Sequence, residues 1–288
     1  MTAETSASTR RSQGPSSLPP SSRLSFAALV RSEWIKLRSI RSTVWCYLIL
    51  IALTLGLAVL VGSVTNRGGA AMPLRDANMT FVIANTASVS LTALVVGVLG
   101  VLIITGEYGT GQIRSTFVAD PRRIGALLAK AAVLAAVTFV VSIIATWIGV
   151  AASAGLLAGN NVHAHLADSA VFLPIVGVSV YVALLSLLAF GIGLLVRSSA
   201  GGIAITLGII LVLPVIMTVL ASLTHAQWVA DVTQFLPTEA GHQLYAYSGA
   251  TSSGPGVHLN GWTGFAVLAG EVLVVGAAAI AIARRRDV

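Results

Sequence analysis

This chain of 288 residues is short of charge, of lysine and of cysteine, and each shortage excludes something. Only 9% of the residues are Asp, Glu, Lys or Arg while 56% are hydrophobic, so a soluble fold of this size could not hide the apolar surface. The lone Cys46 excludes an internal disulfide. The only lysines, Lys36 and Lys130, precede Leu and Ala, so the Gly-x4-Gly-Lys-Ser/Thr loop that cradles nucleotide phosphates is missing. The apolar stretches lack the alternation of barrel strands. The two halves show no duplication, which argues mildly against an inverted-repeat carrier.

What the chain does have is long apolar runs, roughly Val44 to Val64, Phe81 to Thr105, Ala126 to Leu156, Val171 to Val196, Gly201 to Leu223 and Trp262 to Ala283. Each reaches the about 20 residues that a helix needs to cross the hydrocarbon core. Backbone groups in hydrocarbon must be satisfied within the segment. The predicted fold is therefore an all-α integral membrane protein with six transmembrane helices over residues 42–288.

The basic residues are sorted by this topology. Arg10, Arg11, Arg23, Arg31, Lys36, Arg38 and Arg41 precede the first span; Arg114, Arg122, Arg123 and Lys130 surround the second connection; Arg197 marks the fourth; Arg284, Arg285 and Arg286 close the chain. Only Arg67 and Arg75 fall on the other side, so the positive-inside rule places both termini in the cytoplasm of a multi-pass plasma (inner) membrane protein. The net charge of +7 thus follows from topology. It fits anionic headgroups of membrane lipid as neighbours and gives no indication of nucleic acid.

Residues 1–23, rich in Ser, Thr, Pro and Arg and without an apolar region that could act as a cleavable signal, read as a disordered tail, and the first span should direct insertion. Residues 24–41 read as an interfacial helix. Phe26, Leu29, Val30, Leu37 and Ile40 form its apolar stripe, interrupted by Glu33, while Trp34 sits at interface depth and Arg31, Lys36, Arg38 and Arg41 reach headgroup phosphates. A plain basic flank that stops translocation is the simpler alternative. The long external connection, about Thr224 to Gly261, mixes Trp228, Phe235, Leu236, Leu244, Tyr245 and Tyr247 with turn residues, as short amphipathic helices before the last span would.

Candidate chemistry is sparse. His163, His165, His225, His242 and His258 all map to external connections, and a solvated loop is the better reading of them than a metal site. Glu271 is the one acid deep within a predicted span, and it lacks a second buried charge with which to relay protons. Pro214 should kink the fifth span. Small residues at close-packing spacing, Ala145, Gly149 and Ser153 or Ala189 and Gly193, would let helix backbones approach.

The most specific stretch is Gly106-Glu107-Tyr108-Gly109-Thr110-Gly111-Gln112-Ile113-Arg114-Ser115-Thr116, followed by Asp120-Pro121-Arg122-Arg123 and by Lys130 at the opening of the next span. With the entry Ser32-Glu33-Trp34-Ile35-Lys36-Leu37-Arg38-Ser39, the late Leu236-Pro237 and the terminal Arg-Arg-Arg-Asp-Val, it resembles the permease subunits of bacterial type-2 ATP-binding-cassette (ABC) transporters. The likeness runs from about residue 24 to the end.

That resemblance implies an ATP-driven exporter. A separate cytoplasmic ABC ATPase subunit would bind ATP and Mg, leaving this chain without cofactor or catalytic residue of its own. Residues 106 to 123 would form the segment that docks on that ATPase, with Glu107, Tyr108, Gly109, Thr110, Gly111, Arg114, Asp120, Arg122 and Arg123 in the contact. A second permease, identical or related, would complete a path lined by the second and fifth spans, with Thr86, Ser88, Ser90 and Thr92 offering hydroxyls along it and Pro214 in its wall. Scarce intramembrane charge suggests an amphiphilic or hydrophobic cargo. A non-transporting membrane scaffold stays open from the residues alone, as does, more remotely, an ion-coupled transporter or membrane enzyme centred on Glu271.

Overall fold

The computed structural model describes residues 25–65, 69–112, 124–247 and 256–285. Among them, six helical segments are long and apolar enough to cross a membrane; the second, Leu74–Gly109, begins ahead of the expected Phe81, and the others lie within a few residues of the expected runs. Helix α1 covers Phe26–Ser39. The first span is α2, Arg41–Val64. The second is two helices, α3, Leu74–Thr86, and α4, Val89–Gly109, which meet at Ala87 and Ser88. The third and fourth are α5, Ile124–Gly159, and α6, Ser169–Val196.

The fifth span is interrupted, as a proline there demands. Helix α7, Ser199–Leu207, passes into a π-helical segment, Gly208–Val212, before α8, Leu213–Thr224, resumes with Pro214 in its first turn. Proline has no N–H for the carbonyl four residues earlier, and the widened turn absorbs the mismatch. Two short helices follow, α9, Gln227–Thr233, and α10, Pro237–Tyr245, before the last span α11, Gly261–Arg285.

Helices α4 and α6 form the centre, with α2 and α5 packed on one side, α10 and α11 on the other, and α7 against α4. Small residues set these approaches. A Cβ at Gly100 would overlap the Ser186 carbonyl oxygen, one at Gly193 would strike Val101 and Ile104, and one at Gly149 would stand 3.3 Å from the Ala58 methyl. The Ala145/Gly149/Ser153 and Ala189/Gly193 patterns therefore serve contacts inside this chain, between α5 and α2 and between α6 and α4.

Buried and half-buried polar pairs fix the register. Tyr47 and Thr138 join α2 to α5 at 2.9 Å, Ser153 donates to Asn85 at 2.9 Å, and Ser199 donates to Thr105 at 2.9 Å. Asp168 caps α6 by accepting from the Ala170 N–H at 2.9 Å and also accepts from Asn78 at 3.1 Å. In an apolar medium each such bond answers a group that would otherwise go unsatisfied.

Helix α10 does not rest on top of the bundle. Its Gly241 lies against the Tyr181 ring and its Leu244 carbonyl against Gly177, so it runs beside the third and fourth turns of α6 rather than beyond its end. Helix α9 has one buried residue, Val229, and α10 has four, Pro237, Ala240, Gly241 and Leu244.

Candidate functional site

At the end of the bundle where α1 lies, the four charged side chains Glu33, Lys36, Glu107 and Lys130 meet. The Lys130 ammonium contacts Glu33 Oε2 and donates to Glu107 Oε1 at 2.8 Å. Lys36 donates to Glu33 Oε1 at 3.0 Å and to the same Glu107 Oε1 at 3.1 Å. Glu33, Glu107 and Lys130 are buried and Lys36 is partly so. Two acids and two bases cancel, which is how four charges can share one buried site.

The local structure explains the convergence. Glu33 and Lys36 stand three apart on α1 and share a face, Glu107 ends α4, and Lys130 is in the second turn of α5. Glu33 is not a break in the apolar stripe of α1. It belongs to the inward face with Leu37, because Lys130 neutralises it there. Lys36 likewise turns inward instead of reaching for headgroups. Burial alone would lower its pKa, but the hydrogen bond to Glu33 and the charges of Glu107 and Glu33 outweigh that and raise it above its ordinary 10.5.

The remainder of the expected docking segment fans out from Glu107. Tyr108 lies 5.1 Å under the Arg197 guanidinium, which closes α6 in the left-handed conformation with φ 57°. Thus the end of α4 touches α1 and α5 on one side and the α6–α7 turn on the other. Gly109 and Thr110 end the helix, with the Thr110 hydroxyl donating to the Gly106 carbonyl at 2.9 Å. Gly111 follows at φ 73°, a conformation suited to the residue after a helix end. Arg114, Asp120, Arg122 and Arg123 lie outside the described residues.

Trp34 and Arg38 are exposed and stand apart from the cluster, Trp34 beside Arg31 in a groove against Val133 and Val137 of α5. Of the hydroxyls expected along a path, Ser88 and Thr92 are buried, Thr92 donating to the Val89 carbonyl at 3.1 Å, and Thr86 is half-buried. Ser90 differs. It opens into a cavity of about 430 Å³ whose opposite wall holds Pro214 and Ile210. The second and fifth spans therefore share a cavity at Ser90, one of the four hydroxyl residues expected along the path, and at Pro214.

Glu271 lies midway along α11, half-buried, and its Oε2 has no hydrogen-bond partner among the described residues. No cluster of His, Cys, Asp and Glu suited to a metal occurs among the described residues.

Sequence reasoning did not pair Lys130 with Glu33 or Glu107. A signal was present, in that the only two lysines and two isolated acids fall on one side of the membrane, but helix packing alone brings residues 97 positions apart together. Nor did it single out Asn78 and Asn85, buried polar residues of α3.

Residues 29–212 match the family model described as ABC-2 family transporter protein. No curated protein matches the chain. The matched region takes in most of α1, the charged cluster and the π-helical segment of the fifth span, and with six apolar membrane-length helices the chain belongs to the ABC-2 transporter family, as a multi-pass membrane permease.

Proposed function

We propose that this permease exports an amphiphilic or hydrophobic cargo across a bacterial plasma membrane, with both termini and the charged cluster on the cytoplasmic side. A separate ABC ATPase, binding ATP and Mg, docks on residues 106–123 and powers the cycle. A second permease, the same or a related chain, completes the path.

The observation that carries this reading is the junction of Glu107 with α1 and α5 through Lys36 and Lys130. A push on the docking segment reaches the end of α4 first, and the ion pairs pass it to α1 and α5 while Tyr108 passes it to the α6–α7 turn. Glu107 in this account does not itself touch the ATPase. It is a positioning residue, and the groups that meet the partner are the following Gly109, Thr110 and Gly111 with the basic residues beyond.

The test is co-purification with candidate cytoplasmic ATPases, then ATP hydrolysis and cargo movement in lipid nanodiscs for wild type and Glu107→Ala. The expected result is a stable complex whose hydrolysis loses its coupling to transport in the variant, assayed well below the variant's own lowered unfolding temperature so that lost coupling and lost fold are told apart. Glu107→Gln, which keeps the shape, should fall between the two. A chain that recruits no ATPase would be a scaffold, and one in which Glu107→Ala transports normally would remove the junction from the mechanism.

A further inference from the structure

The cavity shared by Ser90 and Pro214 has a wall of a different character from the rest. Helix α10 contributes Thr238, Glu239, His242 and Tyr245, and α6 adds Tyr181. Tyr245 packs against the Tyr181 ring at 5.4 Å and the His242 ring at 5.0 Å. Three rings thus stand together beside one carboxylate. Opposite them the lining is Ala93, Leu94, Ile210 and Val215.

Glu239 is the one acid of this lining, and neither Lys nor Arg joins it. Among the described residues no ion pair or hydrogen bond engages its carboxylate. It occupies the first turn of α10, where exposed backbone N–H groups favour an anion. Its charge reaches the ring cluster: the Tyr245 hydroxyl is pushed upward, by burial first and then by Glu239. Thr238 Oγ1 is buried at the same wall without a hydrogen-bond partner.

A carboxylate with neither Lys nor Arg beside it, two tyrosine rings and an apolar floor answer one kind of ligand. A cation is attracted by the carboxylate and by ring faces, and its apolar part fills the remainder. An anion would meet Glu239 with no cation to offset it. We propose that this cavity binds amphiphilic organic cations, with Glu239 holding the charge, the Tyr181, His242 and Tyr245 rings around it, and Ile210 and Pro214 against the apolar part. That such a ligand is the cargo rests on the permease reading; that it binds does not.

The π-helical turn beside Pro214 places the least regular backbone of the fifth span in the cavity wall, where a change of curvature would alter its width.

The probe is tetraphenylphosphonium, compared with tetraphenylborate, an anion of nearly the same shape, on the full chain in nanodiscs with empty nanodiscs as background. The phosphonium should bind saturably and the borate should not. Glu239→Gln should weaken phosphonium binding about tenfold, and Tyr245→Leu should weaken it less. Equal binding of the two ions, or unchanged affinity in Glu239→Gln, would overturn the proposal. Should that variant fail to fold, a Cys46→Ser, Ser90→Cys chain gives a second measure at an exposed position of the same cavity: phosphonium should slow maleimide labelling and borate should not, and equal labelling rates would count against the site. None of this needs an ATPase, so failure to find a partner would sink the transporter proposal and leave the cation site standing.

Discussion

Glu33, Glu107, Lys36 and Lys130 are worth little as a sum and much as individuals. A neutral buried quartet gains Coulomb energy that desolvation largely offsets, whereas deleting one member strands its partners in a dry site, at about 3–5 kcal/mol. Lys130→Met should therefore lower the thermal unfolding temperature in detergent sharply, and the double change Glu33→Gln, Lys130→Met should recover much of it. A double-mutant cycle read by thermal shift checks this; simple additivity would contradict it. Lys36 adds a pH signature. Its folded pKa is raised, so its stabilisation is complete below about pH 10.5 and fades as pH rises through the folded value. The stability gap between wild type and Lys36→Met should hold up to about pH 10 and narrow above it; a gap that closes near neutrality would refute the pairing.

At the scale of elements, close approaches decide where helices can be. Helix α10 lies beside α6 because Gly177 and Gly241 carry no side chain at the contact with Leu244 and Tyr181. Gly241→Ala should displace Tyr181 or α10. Overpacking of this kind costs about 1–3 kcal/mol, and the change would show as lower thermal stability together with altered tyrosine fluorescence. At Gly106, where a Cβ would meet nothing within 4 Å, alanine should be neutral or slightly stabilising by helix propensity. Comparing the two variants separates steric from conformational effects.

For the whole molecule, the least-covered element is the C-terminal half of the fifth span. Helix α8 has no buried residue, and Leu211, Val215, Ile216, Val219 and Leu223 are exposed. Under the proposed pairing of permeases this face meets the second copy. With Cys46 the only native cysteine, a Cys46→Ser, Val219→Cys chain should form disulfide-linked dimers in membranes under mild oxidation. A matched cysteine at Leu60, an exposed residue of the first span, serves for comparison. Equal cross-linking at both positions would mean random collision, and none at Val219 would leave that face to lipid.

Sequence alone determined the class of molecule. Apolar runs of about 20 residues or more allow only spanning helices, because a bilayer leaves backbone groups no other partner; the predicted ends fall within a few residues of α2, α5, α6 and α11. Pro214 announced an irregular fifth span for an equally local reason, its missing N–H. The family was likewise legible in contiguous residues around Glu107 and Trp34. What only the tertiary structure decided is everything that depends on two distant segments: that Glu33 pairs with Lys130, that Gly149 and Gly193 serve contacts within the chain, that α10 enters beside α6, and that Ser90, Pro214, Glu239 and Tyr245 share a cavity. Periodicity tells each helix which side is apolar but, in a lipid solvent, not which neighbour that side meets; small residues and paired polar groups make that choice, and their partners lie elsewhere in the chain.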